Sequence, residues 1–150
     1  MTDATYGNAL NDYAIDVPLA AFRFAKEIAY PGLDVARGMA LLKEIGSQAF
    51  AIAGRSGAMV ERCQLLSHYL CEVQGFQGNS TSYSDPRNSF LNDVLETKRG
   101  IPISLSVLYV YVARQLGIPV YGIGLPGHFI VGIRDAGEDI LIDPFHGGRR

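Results

Sequence analysis

Tryptophan is absent from this 150-residue chain, and cysteine occurs only twice. Cys63 and Cys71 are too few for the disulfide framework of a small secreted domain. They stand eight residues apart in a segment that reads as helix, about 12 Å along its axis, which is beyond disulfide reach. Free thiols in a reducing compartment are therefore expected. Positive charge is also scarce: 13 Lys and Arg against 15 Asp and Glu leave a net charge of −2. The basic footprint that binds nucleic acid or an anionic membrane surface is missing. No run approaches the roughly 20 apolar residues of a membrane span. The opening Met1-Thr-Asp-Ala-Thr-Tyr-Gly-Asn lacks the basic start and apolar stretch of a signal peptide. The expectation is a cytoplasmic protein with no nucleic-acid or membrane partner.

What is present is globular. Apolar residues make up 48% and charged residues 19%, and the length suits one domain spanning residues 1–150, since domains commonly run to about 100–200 residues. After a ragged lead-in over 1–15, Asp16-Val-Pro opens a helix with an acidic cap and a first-turn proline, and Pro31-Gly32 stops it. A second helix is predicted from about Leu33 to Ala53, with Val35, Met39, Leu42, Ile45 and Phe50 near helical spacing. A third carries Val60, Cys63, Leu66, Tyr69, Leu70 and Val73. Gly75–Pro86 reads as a long polar loop of the kind that is often functional. Asn88 or Ser89 then caps a short helix that ends at Arg99-Gly-Ile-Pro102.

The next helix is apolar on most of its surface, from Leu105 to Leu116, and so is expected to be buried at the centre. Gly117-Ile-Pro119 ends it. Beyond that point the period changes to short β-branched runs, Val120–Ile123, Phe129–Ile133 and Ile140–Ile142, the last two forming a hairpin around Gly137. The fold class is α+β, a helical N-terminal part and a buried central helix packed on a small antiparallel sheet.

Several motifs carry little. Gly122-Ile-Gly124-Leu-Pro-Gly127 matches a dinucleotide-binding pattern, but Pro126 intervenes and a strand follows where a helix N-terminus is required. The sequon Asn79-Ser-Thr81 has no secretory signal to give it meaning. His68, His128 and His146 with the two cysteines show no paired-ligand spacing, and Cys63 and His68 are at the wrong offset for one helix face. No metal site and no cofactor are expected. A better constellation remains: Ser104 in the first turn of the buried helix, His128 at the start of one strand and Asp143 at the end of the next. Adjacent strands can set the carboxylate against the imidazole while the other ring nitrogen faces the helix N-terminus. The ordinary alternatives are a serine cap, a histidine bonded to backbone and an aspartate that starts a turn.

Four blocks in order, Asp85-Pro-Arg-Asn-Ser-Phe-Leu-Asn92, Arg99-Gly-Ile-Pro-Ile-Ser-Leu-Ser106, Leu125-Pro-Gly-His-Phe129 and Leu141-Ile-Asp-Pro-Phe-His-Gly-Gly148, resemble the SirB (invasion-regulator) family of bacterial proteins. Its N-terminal domain is transglutaminase-like, with a similar domain in an animal F-box protein. The resemblance implies a papain-like core whose triad is Cys-His-Asp. His128 and Asp143 match the His and Asp positions. No cysteine lies between Leu95 and Arg150, and the helix start offers Ser104 or Ser106, while a strict count back from Gly117 puts Pro102 at the cysteine position. Asn88, Asn92 and Ser106 are candidate supporting residues around the helix start. The resemblance also implies a further helical region, similar to tetratricopeptide repeats, beyond this domain.

Two functions follow as expectations. One is a non-catalytic binding or regulatory module with a protein or peptide partner, because a serine cannot rest as the thiolate-like nucleophile that a cysteine becomes beside histidine. The other is a hydrolase or acyltransferase of amide or ester bonds that uses Ser104, His128 and Asp143. A groove formed by Gly75–Pro86 above Ser104 that binds a peptide or small ligand is compatible with the first.

Overall fold

The computed structural model describes residues 17–54 and 57–150; the lead-in, the Asp16 cap and part of the break after Gly54 lie outside the described residues. Helix α1 occupies 17–28 and buries Phe22 and Ala25 completely. Helix α2, Val35–Ala53, starts two residues later than its apolar period suggests, because the Asp34 carboxylate caps it by accepting from Arg37 N–H. Helix α3, Met59–Ser67, continues as a π-helical stretch over His68–Val73. Leu42, Ile45, Ala49, Cys63, Leu66 and Leu70 from these helices form one core with the centre of the molecule.

That centre is helix α5, Pro102–Gln115, with Pro102 in its first turn. Leu105, Leu108, Tyr109, Val112 and Ala113 are all buried, as its nearly continuous apolar sequence requires. α2 packs on one side of it, and on another lies a three-stranded antiparallel sheet of β3 (Val120–Leu125), β4 (His128–Ile133) and β5 (Ile140–Ile142) in that order. The architecture is α+β. Gly122–Gly127 runs along β3 into the tight turn to β4, where Gly127 has φ 69°, so no helix follows it. Leu125 pairs with His128 across this turn, and Val131 pairs with Ile142 across the next.

Two local expectations are corrected. The stretch Gly75–Pro86 is not loop throughout: β1 (Gln77–Gly78) pairs in parallel with β2 (Arg99–Gly100), a two-residue ladder too short to leave a periodic signal. Neither Asn88 nor Ser89 caps the short helix α4, Leu91–Thr97. They belong to a preceding 3₁₀ turn, Pro86–Ser89, capped by the Asp85 side chain, and the cap position of α4 is Phe90. Asp followed by Pro is itself a strong turn opener, and it takes precedence over the polar residues three positions later.

Cys63 and Cys71 are free and buried. Burial pushes both thiols up to about 11, so neither is a thiolate near neutral pH. The native chain is expected to resist iodoacetamide at pH 8, whereas the urea-unfolded chain labels at both cysteines. Rapid labelling of the native chain would contradict this packing.

Candidate functional site

The end of β5 delivers Asp143 to the surface beside the first residue of β4. Its Oδ2 accepts from His128 Nε2 at 2.7 Å and from His146 Nδ1 at 2.8 Å. Its Oδ1 accepts the Phe145 N–H at 3.1 Å and the His146 N–H at 3.3 Å, the capping pattern of the 3₁₀ turn Pro144–His146. The Asp143 backbone is tied as well, its N–H donating to Arg149 O at 2.8 Å and its carbonyl accepting from Gly148 N–H at 2.9 Å. Burial alone would raise this carboxyl, but the hydrogen bonds from His146 and His128 and their charges outweigh it and hold it below the ordinary carboxylate value. The same aspartate thus starts a turn and orients an imidazole.

Phe145 walls the cluster. Its ring meets His128 edge-on at 6.2 Å and His146 at 5.0 Å between centroids. On its other side it touches Tyr83, at 5.9 Å, and Gly78, where a Cβ would come within 2.5 Å of the ring. The segment between α3 and α4 is therefore docked on the site through one aromatic side chain.

At the start of α5 the Ser104 hydroxyl donates to Asn88 O at 2.7 Å and accepts the Ile101 N–H at 3.1 Å. No hydrogen bond joins it to His128 among the described residues. Asn88 is itself buried. Its Nδ2 donates to Ser82 O at 2.8 Å and Tyr83 O at 3.1 Å, and its Oδ1 accepts from Asn79 Nδ2 at 3.0 Å, so it holds the loop against the helix start. Ser106 is fully buried, its hydroxyl donating to Phe129 O at 3.4 Å. Asn92 Oδ1 is buried without a hydrogen-bond partner, apart from this network.

Sequence reasoning weighed His146 only within a metal-ligand set, set aside for want of paired spacing, and did not single out Phe145. The signal was the string Asp-Pro-Phe-His itself: an aspartate cap followed by proline turns the chain so that a residue three positions on faces the cap side chain. Of the three histidines, His128 and His146 meet at Asp143, each side chain offering one ligand-type atom within 4.8 Å of the others. His68, Cys63 and Cys71 belong to the helical half.

Replacing Ser104 with alanine removes the cap and leaves the Asn88 carbonyl unpaired. We expect a loss of about 1 kcal/mol, read as a lower urea midpoint at unchanged slope. Asn88→Ala leaves two carbonyls and an amide without partners and is expected to cost more, about 1–3 kcal/mol. Two midpoints equal to that of the parent chain would refute the network.

Comparison with known proteins identifies the family. A family model described as the transglutaminase-like superfamily matches residues 39–150. A UPF0162 protein of Xylella fastidiosa is 48% identical over 84 residues, 56% of this chain and 30% of that protein. One from Pseudomonas aeruginosa is 33% identical over 135 residues, 88% of this chain and 49% of that protein. F-box only protein 21 of Homo sapiens is 31% identical over 113 residues, 69% of this chain and 18% of that protein. The chain thus spans half or less of the length of these relatives. No solved structure gives a significant match. No described helix is long and apolar enough to cross a membrane. With a family model covering three quarters of its length and α5 packed on β4, the strand that opens with His128, the chain belongs to the transglutaminase-like superfamily.

Proposed function

We propose that this domain is a non-catalytic binding module, its partner a protein or peptide, and that the motif blocks place it beside the SirB family within the superfamily. The observation that carries the reading is the Ser104 hydroxyl, committed at 2.7 Å to Asn88 O rather than to an imidazole nitrogen. A serine nucleophile needs a base within about 2.6–3.2 Å.

Helix geometry supports it. Ser106 touches the β4 backbone at Phe129, which marks the face of α5 turned to the sheet. Ser104, two residues earlier and about 200° around the axis, is on the opposite side. The residue one turn before Ser106 on the sheet-facing side is Pro102. In this reading proline fills the nucleophile's place, and the retained His128–Asp143 pair joins two strands. Half-exposed Tyr83, Ile103 and Leu125 come from the loop docked on Phe145, the start of α5 and the position paired with His128, and they offer a partner apolar contact at this end of the molecule.

Two tests follow. With p-nitrophenyl acetate and with a glutamine-bearing peptide plus an amine, no turnover is expected that differs between the chain and its His128→Ala variant. Activity that disappears with His128 would restore the hydrolase or acyltransferase reading. Ser104→Cys is expected to alkylate no faster than a free model thiol, whereas Pro102→Cys gains a thiol with a depressed pKa and alkylates faster near neutral pH. The reverse order would place the nucleophile's position at residue 104.

A further inference from the structure

His128 and His146 are 18 residues apart, and no local spacing announces them as a pair. The hairpin and the Asp143 turn nevertheless bring His128 Nε2, His146 Nδ1 and a carboxylate oxygen of Asp143 within 4.8 Å of one another. Among the described residues no other three such side chains converge in this way. We propose that these three atoms form a binding site for one divalent transition-metal ion of the zinc class, with its remaining coordination positions open to solvent.

The donor chemistry fits. Two imidazoles and one carboxylate are ligands that zinc, cobalt and nickel accept, and three protein ligands with an open side are a known arrangement for such ions. Metal bonds of about 2.0–2.2 Å in tetrahedral geometry set ligand atoms about 3.3 Å apart. The present Nε2–Oδ2 and Nδ1–Oδ2 separations are 2.7 and 2.8 Å, and all three atoms lie within 4.8 Å of one another, so each ring needs to move off Oδ2 by about half an ångström while the two nitrogens settle at the tetrahedral spacing. The His146 side chain, 54% exposed, has room to do so, and its exposure leaves a path for the ion.

The shell around the ligands is already built. Asp143 Oδ1 is held by the Phe145 and His146 N–H groups, which leaves Oδ2 as the oxygen turned to the imidazoles. Phe145 packs edge-on against both rings. Fixing ligand orientation in this way is what outer contacts do in metal sites. The protons balance. Without metal, each neutral imidazole donates N–H to Oδ2. On binding, each proton moves through solvent to the ring's other nitrogen, both rings stay neutral, and the freed lone pairs face the ion beside an already ionised carboxylate.

This inference does not depend on whether the domain is catalytic. The test uses the full chain after treatment with a chelator. Calorimetric titration with zinc chloride is expected to give one equivalent bound, with affinity in the micromolar range or tighter. His146→Ala, which truncates an exposed side chain, is expected to weaken binding by about ten-fold or more, and His68→Ala to leave it unchanged. Cobalt chloride supplies a second readout in visible absorption: d–d bands without the near-ultraviolet charge-transfer band of a thiolate ligand. No binding, binding undiminished in His146→Ala, loss of binding in His68→Ala, or a thiolate band would each overturn the proposal.

Discussion

A single carboxylate organises the functional end of this molecule. Asp143 terminates β5, caps the turn after it and receives two imidazoles on one oxygen. Its own N–H holds the chain at Arg149. Each bond is modest alone, about 0.5–1.5 kcal/mol net for a neutral pair and more where a charge takes part. Together they fix β4, β5 and the C-terminal turn at one point. The position of Phe145 follows from that turn, and the docking of Gly78 and Tyr83 follows from Phe145.

The second fixed point is the start of α5. Ser104 and Asn88 tie the helix to the loop, and the loop returns to Phe145 through Tyr83. A site that must deprotonate a hydroxyl needs that hydroxyl free to meet a base. Here the Ser104 hydroxyl is engaged by the Asn88 carbonyl and the Ile101 N–H. What remains at the surface is a carboxylate with two imidazoles, flanked by half-exposed apolar side chains.

Much of this was legible in the sequence for physical reasons. The apolar run from Leu105 to Leu116 could only be a central helix, and the three β-branched runs could only pair as neighbours, which brings His128 to Asp143. The glycine pattern around Gly124 was dismissed on Pro126 and the following strand, and it is a hairpin. Legibility failed where structure is made by few residues. The parallel pair Gln77–Gly78 with Arg99–Gly100 is two residues long, below any periodicity. The Asp85 cap displaced Asn88 from a capping role into a buried network whose partners are backbone carbonyls, which a sequence does not display. His146 was set aside for want of ligand spacing, because its partner is set by a turn rather than by helical or strand spacing. Ser104 was placed correctly in the first helical turn, but which way its hydroxyl points depends on Asn88, 16 residues away.

The central claim is that Asp143 holds both imidazoles by hydrogen bonds from opposite kinds of ring nitrogen. Histidine side-chain nitrogen NMR on metal-free protein at pH 8 tests it directly. The account predicts one fixed tautomer at each ring, the proton on Nε2 of His128 and on Nδ1 of His146. Rapid averaging between tautomers at both rings, or a proton on Nδ1 of His128 with Nε2 bare, would contradict it.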